Sequence, residues 1–494
     1  MLALVFGLCA CKEEHEQQEV PEQKYSSEWT SDEEYHWHVA VDSEDISEYT
    51  RHIWGTLVKN GDGTATYTCK VCKKKVTKNL PSVISMVNTG PGEDASKGVV
   101  ISWHSITTGS SLEYKKTDAE NWTAVANADC NEVLSTADWR DTAGKALDAS
   151  HYRCKVYLND LSPDSSYYYR IKDSSDNYSE VAFFKTAKAD TTTFQFMWLS
   201  DNHVPKGGEK TLERVSDLIG YAQAKDGVDI DFVLFTGDMV NKGQIYQHWN
   251  YWSDSGLLGN MTYAFVCGNH DYYGWNDKER TTNDYYKEFA AYPANNVSGT
   301  KNVLDSNYWF IWNRVLFVCI DNFTIESEAL NTLDGSALSD QQAWFKAVVD
   351  ANAGNYDYLI YAQHLPWFNT DTKACDYGYY SNWRKIFDTY KVDFALSSDE
   401  HTYRRTYPLS ANAKTELVDG KVTTGTVYVV SNMTEGSSVS SLKNTASSGL
   451  KYVQYTAGGV GGVYFTVTPT EMTLHLIGSG GREFDSITVK KKDR

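Results

Sequence analysis

The sequence predicts an α/β protein in which a small ribbon-like unit and an all-β segment precede a larger layered α/β domain. From residue 193 onward, apolar strand-like runs alternate with amphipathic helical runs. Residues 81–188 contain alternating strands and no helical period. Residues 31–80 are rich in His, Trp and Thr and contain the CxxC sequence Cys69-Lys70-Val71-Cys72. A chain of 494 residues has room for about two to four domains.

The composition limits the possible partners. A hydrophobic content of 41% is enough to form real cores. The formal net charge of −19 argues against binding to a nucleic-acid duplex, because phosphate backbones are bound by clustered Lys and Arg. The same charge would repel an anionic substrate unless bound cations reverse the field at the site.

Residues 1–11 resemble the end of a bacterial lipoprotein signal. A short apolar run ends in Leu8-Cys9-Ala10 before Cys11, which fits the lipobox pattern and makes Cys11 the lipidated residue. Residues 12–30 have the polar composition of a tether. No later stretch reaches the ~20 apolar residues that span a bilayer. We therefore expect an exported lipoprotein, held at the periplasmic or cell-surface face of a membrane only through the lipid on Cys11.

Residues 31–80 form a small unit whose main chemical feature is its CxxC. Cys69 and Cys72 can be half of a zinc ribbon, with His36, His38 or His52 completing a structural zinc site. Alternatively they form a disulfide or a pair of free thiols, since the sequence contains no second CxxC.

Residues 81–188 have the pattern of a β-sandwich of about 100 residues. Strands are predicted at 99–103, 151–158 and 166–171, the last two separated by the turn Leu161-Ser162-Pro163-Asp164. Cys130 and Cys154 can form a disulfide in an exported domain.

Residues 189–494 read as an α/β layer structure with a β-rich end. Phe194–Leu199 is a strand, and the segment 209–225 that follows has one apolar helical face. Ser339 and Gln342 have the spacing of a capping box before a second helix. Further apolar strands are predicted at 231–235, 262–267, 314–320, 357–362, 392–397 and 425–431.

Metal-binding side chains follow the predicted strands of this domain. Carboxylates, imidazoles and a carboxamide are ligands for cations such as Mn, Fe and Zn, and open α/β sheets place ligands at strand ends. Each cluster alone is weak evidence, but their joint occurrence in order predicts a dinuclear metal site. The predicted site residues are Asp201, His203, Asp238, Asn269, His270, Asp271, His364, Asp399 and His401.

The spacing of these residues suggests individual roles. Asp201 and His203 are two apart just after a strand, where an extended pair points the same way, and Asp399 and His401 repeat this spacing. Asp238 has two carboxylate oxygens and can bridge two ions about 3.5–4 Å apart.

Three further roles are predicted for residues of the sequence Gly268-Asn269-His270-Asp271. Asn269 can offer a carbonyl oxygen to the second ion, while His270 faces the substrate. Asp271 is expected to orient His270 by accepting a ring N–H, as carboxylates behind metal-bound histidines do.

The ordered set DxH, GD, GNHD, H and xxH is similar to the calcineurin-like metallophosphoesterase superfamily, whose pattern is DxH…GD…GNH[DE]…H…GHxH. This similarity spans residues 193 to about 488. Residues 81–188 resemble the fibronectin-III-like N-terminal domain of purple acid phosphatases, through Ser102-Trp103, Tyr167-Tyr168-Tyr169-Arg170 and Phe184-Lys185-Thr186. The resemblance implies a metallophosphoesterase β-sandwich flanked by helices, preceded by a fibronectin-III-like domain.

The resemblance also implies an enzyme, a hydrolase of small phosphomonoesters or phosphodiesters that works by attack of a metal-bound hydroxide. His270 would stabilise the transition state or protonate the leaving group. Two metal ions, Fe, Mn or Zn, would be bound. The ligands implied are Asp201, His203, Asp238 and His401 for one ion, and Asp238, Asn269, His364 and Asp399 for the other.

The sequence departs from these families at two places. Purple acid phosphatases carry a Tyr ligand shortly after GD, where this chain has Met239-Val240-Asn241, so a coloured Fe(III) site is not expected. The usual Gly-His before x-His is replaced by Ser398-Asp399. A carboxylate at 399 favours Mn, Mg or Fe(II) over Zn, or leaves the second site weakened. The alternative function is therefore a surface-anchored binding protein with a degenerate phosphoesterase fold.

Overall fold

The computed structural model describes residues 24–32, 35–52, 58–59, 64–79, 84–105, 109–125, 129–132, 152–173, 176–206, 210–226, 229–274, 283–295, 297–301, 304–323, 335–367, 379–432, 434–435, 443–444 and 453–494. The predicted lipoprotein signal, residues 1–11, and residues 12–23 of the predicted tether lie outside these ranges. The chain divides into two compact units, Met1–Pro81 and Ser82–Arg494.

The first unit contains two small antiparallel sheets. Its strands are β1 (Thr30–Ser31), β2 (Tyr35–Val39), β3 (Ile46–Arg51), β4 (Val58–Lys59), β5 (Thr64–Thr68) and β6 (Lys75–Asn79). One sheet has the order β1-β2-β3 and the other β4-β5-β6. The CxxC occupies the turn that joins β5 to β6.

The second unit begins with the β-sandwich predicted for residues 81–188. Its strands are β7 (Ile84–Pro91), β8 (Val99–Ser105), β9 (Ser111–Lys116), β10 (Thr123–Ala124), β11 (Asp129–Glu132), β12 (Tyr152–Leu158), β13 (Ser166–Lys172) and β14 (Ala182–Lys185). These strands form two layers, with the strand orders β11-β12-β8-β7 and β10-β9-β13-β14. The two layers enclose a separate apolar core that includes Trp103, Tyr169 and Phe184. Cys154 is disulfide-bonded, and the β11–β12 register places Cys130 opposite it.

The remainder of the second unit supplies sixteen strands and five α-helices among the described residues. The strands are β15 (Phe194–Leu199), β16 (Ile230–Thr236), β17 (Thr262–Val266), β18 (Tyr308–Trp312), β19 (Val315–Cys319), β20 (Tyr358–Ala362), β21 (Phe394–Ser397), β22 (Thr402–Thr406), β23 (Leu409–Ser410), β24 (Ala413–Lys414), β25 (Val427–Val430), β26 (Lys443–Asn444), β27 (Val453–Gly458), β28 (Gly462–Val467), β29 (Glu471–Ile477) and β30 (Glu483–Lys490). The helices are α1 (Lys210–Asp226), α2 (Tyr246–Asp254), α3 (Asp284–Phe289), α4 (Gly335–Ala351) and α5 (Tyr379–Tyr390), with 3-10 turns at His270–Tyr272 and Ser479–Gly481.

Fourteen of these strands form two sheets that pack face to face, while β23 and β24 form a separate two-stranded sheet. The first runs β17-β16-β15-β28-β29-β30 and the second β18-β19-β20-β21-β25-β22-β27-β26. Aromatic rings cross between them, for example Phe196 against Phe317 at 5.2 Å between ring centroids, and Phe394 against Phe465 at 5.1 Å. Buried rings of this size contribute most of the apolar area in such a core. The predicted α/β layer fold is confirmed, with β-rich edges on both sheets.

The helices cover the outer faces of these sheets. Helix α1 packs on β15 and β16, while α4 and α5 pack on each other. Rings of Phe345 and Trp383 from those helices contact Tyr361 of β20. Helix α4 begins at Gly335, so Ser339 lies inside the helix and the predicted capping box is wrong. Among the described residues, none of the helices combines the length and apolar character needed to cross a membrane.

The β-sandwich and the α/β domain share one sheet. Strand β7 pairs in parallel with β17 at Thr89 and Thr262, which joins the order β11-β12-β8-β7 to β17-β16-β15. The side chain of Asn88 donates to the Phe289 carbonyl at 2.8 Å and accepts the backbone N–H of Ala291 at 3.1 Å. The two predicted domains therefore form one compact unit, because buried backbone pairing crosses the boundary at residue 188.

Candidate metal centre

Six loops meet where the parallel strands of the two sheets end. Strands β15, β16 and β17 run parallel in one sheet, and β20, β21 and β25 run parallel in the other. Their carboxyl ends therefore lie at a common edge, which is where α/β sheets bind ligands. The loops after these strands carry Asp201 and His203, Asp238, Asn269 to Asp271, His364, Asp399 and His401, and Glu435.

Asp238 lies between two groups of ligands. Its Oδ2 is 2.9 Å from Nε2 of His203, and its Oδ1 is 3.2 Å from Nε2 of His364. The backbone N–H of His270 donates to Oδ1 at 2.8 Å, which holds the carboxylate in place. Each oxygen thus faces a different imidazole, the arrangement required of a bridging carboxylate.

The first group contains Asp201, His203 and His401, whose ligand atoms lie within 4.8 Å of one another. Asp201 Oδ2 accepts the backbone N–H of Asp399 at 3.3 Å, while its Oδ1 faces His401 Nε2 at 3.5 Å. Asp201 Oδ1 is buried and has no hydrogen bond among the described residues. A buried carboxylate oxygen without a donor is costly unless a cation is bound there.

The second group is built around His364. Its Nδ1 donates to the Thr236 carbonyl at 2.7 Å, which leaves Nε2 facing Asn269 Oδ1 at 2.9 Å. Asn269 is oriented by Tyr273, because its Nδ2 donates to the Tyr273 hydroxyl at 2.8 Å. Asp399 is further away, with its Oδ1 3.7 Å from His364 Nε2. The structure therefore brings Asp399 to the margin of this group, consistent with its short side chain.

Five of these ligand residues have left-handed backbones. Asp201, His203, Asp238, Asp399 and His401 have φ between 50° and 73°. The predicted extended pairs are therefore wrong for 201/203 and for 399/401. Residues with side chains occupy this region at a cost of about 1–3 kcal/mol, and such strain concentrates at functional sites. The sharp turns direct successive polar side chains into the centre.

Two glycines make room for this geometry. A Cβ at Gly237, which has φ of +91°, would lie 2.4 Å from Nδ1 of His364. A Cβ at Gly268 would lie 2.3 Å from both the backbone nitrogen and Oδ1 of Asp238. These positions need glycine because any side chain would displace a ligand.

Asp271 has a different role from the one predicted. Its Oδ2 accepts backbone N–H groups from Asp238 at 3.1 Å and Gly268 at 2.9 Å. Its Oδ1 accepts those of Met239 at 3.1 Å and Val240 at 3.3 Å. The carboxylate is fully buried and holds the loop that carries Asp238. The expectation that Asp271 orients the His270 ring is therefore replaced by a positioning role toward the backbone.

The ring of His270 is held by another group. Its Nδ1 lies 2.8 Å from the Asn241 carbonyl, so Nδ1 carries a proton and donates it. The ring lies edge-on to that of His203, with 4.4 Å between centroids. This tautomer leaves Nε2 as the ring nitrogen that can act on a substrate, and Nε2 can donate a proton when the ring is an imidazolium.

Glu435 is a site residue that the sequence analysis did not identify. Its Oε2 is 3.1 Å from Nδ1 of His203, and its backbone N–H donates to the Asp201 carbonyl at 3.0 Å. A carboxylate behind a ligating histidine fixes the ring tautomer and raises its basicity. Its position shortly after the apolar run that forms β25 matches the pattern of the other site residues and was the available signal.

The electrostatics of the centre favour a cation. Burial by itself lowers the pKa of His203, but the carboxylates of Asp238 and Glu435 raise it to about 10. Burial and the nearby charge of Asp238 raise the pKa of Asp399 to about 7. Without a cation, protons balance this concentrated negative charge. Cation binding displaces those protons, so metal affinity is expected to fall as the pH is lowered.

The residues present fit a pair of metal ions. The donor set contains carboxylates, imidazoles and one carboxamide oxygen, which suits Mn, Fe or Zn. Asp201, His203, Asp238 and His401 would hold one ion. Asp238, Asn269 and His364 would hold the other, with Asp399 at its edge.

Replacing Glu435 with Gln is expected to weaken metal binding about 10–100-fold, because the His203 ring loses its charged acceptor. The measurement is the dissociation constant of Mn²⁺ from the otherwise metal-free protein. Lys206→Gln is the matched control, since Lys206 contacts the same carboxylate at 3.3 Å from the exposed side and such pairs contribute about 0–1 kcal/mol. Equal effects of the two variants would contradict the role given to Glu435.

Comparison with known proteins agrees with this geometry. Residues 194–403 match the calcineurin-like phosphoesterase family, and residues 85–186 match the purple acid phosphatase N-terminal domain. Proteins from two strains of Mycobacterium tuberculosis, both named as uncharacterised, are each 24% identical over 370 residues, covering 69% of this chain and 67% of theirs.

Two solved structures share the fold. The purple acid phosphatase PPD1 from yellow lupin (Lupinus luteus) seeds aligns with a TM-score of 0.65 at 15% identity, covering 87% of this chain and 79% of that one. PhoD aligns with a TM-score of 0.54 at 14% identity, covering 84% of this chain and 96% of that one. The chain thus contains a calcineurin-like phosphoesterase domain over residues 194–403 behind a purple acid phosphatase N-terminal domain over residues 85–186, and it is a metal-dependent phosphoester hydrolase.

Proposed function

We propose that the protein hydrolyses small phosphomonoesters or phosphodiesters at a dinuclear metal centre bridged by Asp238. The observation that carries this proposal is the position of Asp238, whose two oxygens face His203 and His364 separately at 2.9 and 3.2 Å. When bound, the two cations supply Lewis acidity toward the phosphoryl oxygens and lower the pKa of the attacking water.

The residues of the chain prepare and complete this chemistry. Asp201, His203 and His401 fix one side of the centre, and Asn269 and His364 fix the other. Their rigid placement lets the substrate phosphate bind in one orientation, which supplies part of the rate enhancement. Three of the candidate ligands are held from behind, His203 by the Glu435 carboxylate, Asn269 by the Tyr273 hydroxyl and His364 by the Thr236 carbonyl. These side chains therefore need little reorganisation during the reaction.

His270 is proposed to assist departure of the leaving group. Its Nδ1–H is committed to the Asn241 carbonyl, and its ring contacts that of His203 beside the centre. In the imidazolium form, Nε2 can donate a proton to the leaving oxygen as the P–O bond breaks. General acid catalysis of this kind contributes about 10²–10⁴-fold to the rate.

The test uses protein freed of metal and then supplied with Mn, Fe(II) or Zn. Turnover of p-nitrophenyl phosphate, its bis ester, or both is expected to return with added metal. His270→Ala is expected to lower the restored rate about 10²-fold or more. Absence of turnover with every metal would contradict the proposal and favour the binding-protein alternative. Turnover that returns with metal but is insensitive to His270→Ala would contradict only the role given to His270.

Position 399 is proposed to set the metal preference of the second ion. Asp399 is 32% exposed and lies 3.7 Å from His364, and a carboxylate there favours harder ions than an imidazole does. Asp399→His is expected to raise the affinity for Zn relative to Mn about tenfold, or 1.4 kcal/mol. Competition between the two ions for metal-free protein measures this ratio. Asp399→Asn is the size-matched control and is not expected to favour Zn. An unchanged ratio in Asp399→His would contradict the assignment.

The aromatic residues after His270 separate into two roles. Tyr272 is buried and donates to Asp321 at 2.7 Å, which makes it a packing residue. Tyr273 is half-buried, 4.5 Å from the His270 ring between centroids, and holds Asn269 in place. Among the described residues of this segment, Tyr273 is therefore the aromatic side chain proposed to contact the organic part of a substrate, and Trp275 lies outside the described residues.

The cellular location is a separate proposal. The lipobox-like sequence ending at Cys11 supports export and attachment of the protein to a membrane through a lipid at the periplasmic or cell-surface face. Metabolic labelling of the protein with a fatty acid analogue tests this proposal. Labelling that persists in Cys11→Ser would contradict it.

A further inference from the structure

We propose that His36, His52, Cys69 and Cys72 form a structural zinc site of the Cys2His2 type in the first unit. The ligand atoms of these four residues all lie within 4.8 Å of one another. They come from separate parts of the unit, with His36 on β2, His52 directly after β3, and the two cysteines in the β5–β6 turn. One ion would therefore link its two small sheets.

The distances fit a tetrahedral zinc ion. Cys69 Sγ is 4.0 Å from His36 Nδ1, and Cys72 Sγ is 3.4 Å from His52 Nδ1. Zinc–sulfur and zinc–nitrogen bonds of ordinary length place tetrahedral ligand atoms about 3.3–3.8 Å apart. Both cysteines are free thiols in the structure, so they are available as thiolate ligands.

The outer nitrogens of both rings are held by other groups. His52 Nε2 is 3.0 Å from the Asp32 carbonyl, which can only accept, so Nε2 is protonated and Nδ1 presents its lone pair. His36 Nε2 is 3.1 Å from the Thr50 hydroxyl. Partners of this kind hold metal-binding histidines in the required tautomer and orientation.

The turn that holds the cysteines also suits a thiolate. The backbone N–H groups of Val71 and Cys72 hydrogen-bond the sulfur of Cys69. Lys73 has φ of 64° and donates its backbone N–H to the Cys69 carbonyl at 3.1 Å, closing the turn. Amide donors around a sulfur stabilise its negative charge, as in other metal-binding CxxC turns.

The described part of this unit has few buried apolar side chains. Among the side chains described in residues 24–79, the buried hydrophobic ones are Ala40 and Cys69, and His36 and His52 are also buried. A unit of this size without a large core is usually held together by metals or disulfides. Three of the four candidate ligands, Cys69, His36 and His52, are among these buried side chains, and a bound metal explains their burial.

His38 is excluded from the site and supplies a control. Its Nδ1 lies 3.0 Å from the Glu28 carbonyl, and its Nε2 is 3.9 Å from Glu48. It lies on the same strand as His36 but does not join the group of ligand atoms.

The test is cobalt substitution in the full-length protein. Co²⁺ bound to thiolates gives a sulfur-to-cobalt charge-transfer absorption in the near ultraviolet, and the grouped residues of the phosphoesterase centre contain no cysteine. We expect this absorption in the parent protein and in His38→Ala, and its loss in Cys69→Ser and His52→Ala. His52→Cys should retain it, because cysteine also binds the metal.

Two measurements on the unmutated protein do not depend on whether a variant folds. They are the number of zinc ions bound per chain and whether Cys69 and Cys72 are thiols or a disulfide. If Cys69→Ser binds one zinc ion per chain fewer than the unmutated protein, the result supports the site. A disulfide between Cys69 and Cys72 in the purified protein, or charge-transfer absorption that survives in both Cys69→Ser and His52→Ala, would overturn it.

Discussion

Changing Asp238 to Asn is expected to lower kcat/KM for phosphoester hydrolysis by about 10³-fold or more. A bound metal stabilises the transition state by several kcal/mol, and each 1.36 kcal/mol corresponds to a factor of ten. Asn retains the size of Asp238 but offers a single neutral oxygen, so it cannot serve both groups of ligands. In the variant, either His203 or His364 would face the amide NH2 group instead of a carboxylate oxygen.

Steady-state kinetics with saturating metal, together with the number of ions bound per chain, measure this effect. The metal content at the centre is expected to fall along with the rate. Asp340→Asn is the matched control, since Asp340 lies on helix α4 with its carboxylate 43% exposed and 4.0 Å from Lys301. An Asp238→Asn enzyme that keeps both ions and loses less than about tenfold in kcat/KM would show that Asp238 does not bridge.

Changing Asp271 to Asn is expected to lower the free energy of unfolding by about 3 kcal/mol. The carboxylate accepts backbone N–H groups on both oxygens, from Asp238 and Gly268 on one and from Met239 and Val240 on the other. Asn can accept on one oxygen only, and its amide hydrogens would face the two remaining donors. Each buried donor left without an acceptor costs about 1–3 kcal/mol.

Urea unfolding of the metal-free proteins measures this loss without interference from bound ions. Asp305→Asn is the control, because its carboxylate is exposed and contacts Lys287 at 3.2 Å. If Asp271→Asn lowered activity while leaving the unfolding free energy unchanged, Asp271 would be acting on His270 or the substrate, as the sequence first suggested.

The sequence was sufficient to predict the fold and most of the residues that meet at the candidate metal centre. Periodic apolar runs located the parallel strands, because buried strands require continuous apolar residues. Polar residues directly after those runs then marked the common edge of the sheets. This reasoning predicted that Asp238 and His364 lie together although they are 126 positions apart in the sequence.

The sequence was less informative about the residues that support the centre. Glu435 lies in a segment without another charged ligand, and its role depends on β25 lying beside β21 in the second sheet. The sequence predicts that Asp271 acts on its neighbour His270, whereas three of its four backbone partners belong to the loop that carries Asp238. Hydrogen bonds between distant segments leave no periodic trace in the sequence.

The order of residues alone indicates which metal-binding side chains the chain carries and that most of them follow predicted strands, because ligand type and strand-end position can be read along the chain. The contacts between individual ligand atoms depend on the tertiary structure. The left-handed turns at Asp201 and His203, the reach of Asp399, and the sheet shared across residue 188 all depend on packing between segments far apart in the chain. Local propensity cannot specify them, since non-local contacts must offset the strain of such turns.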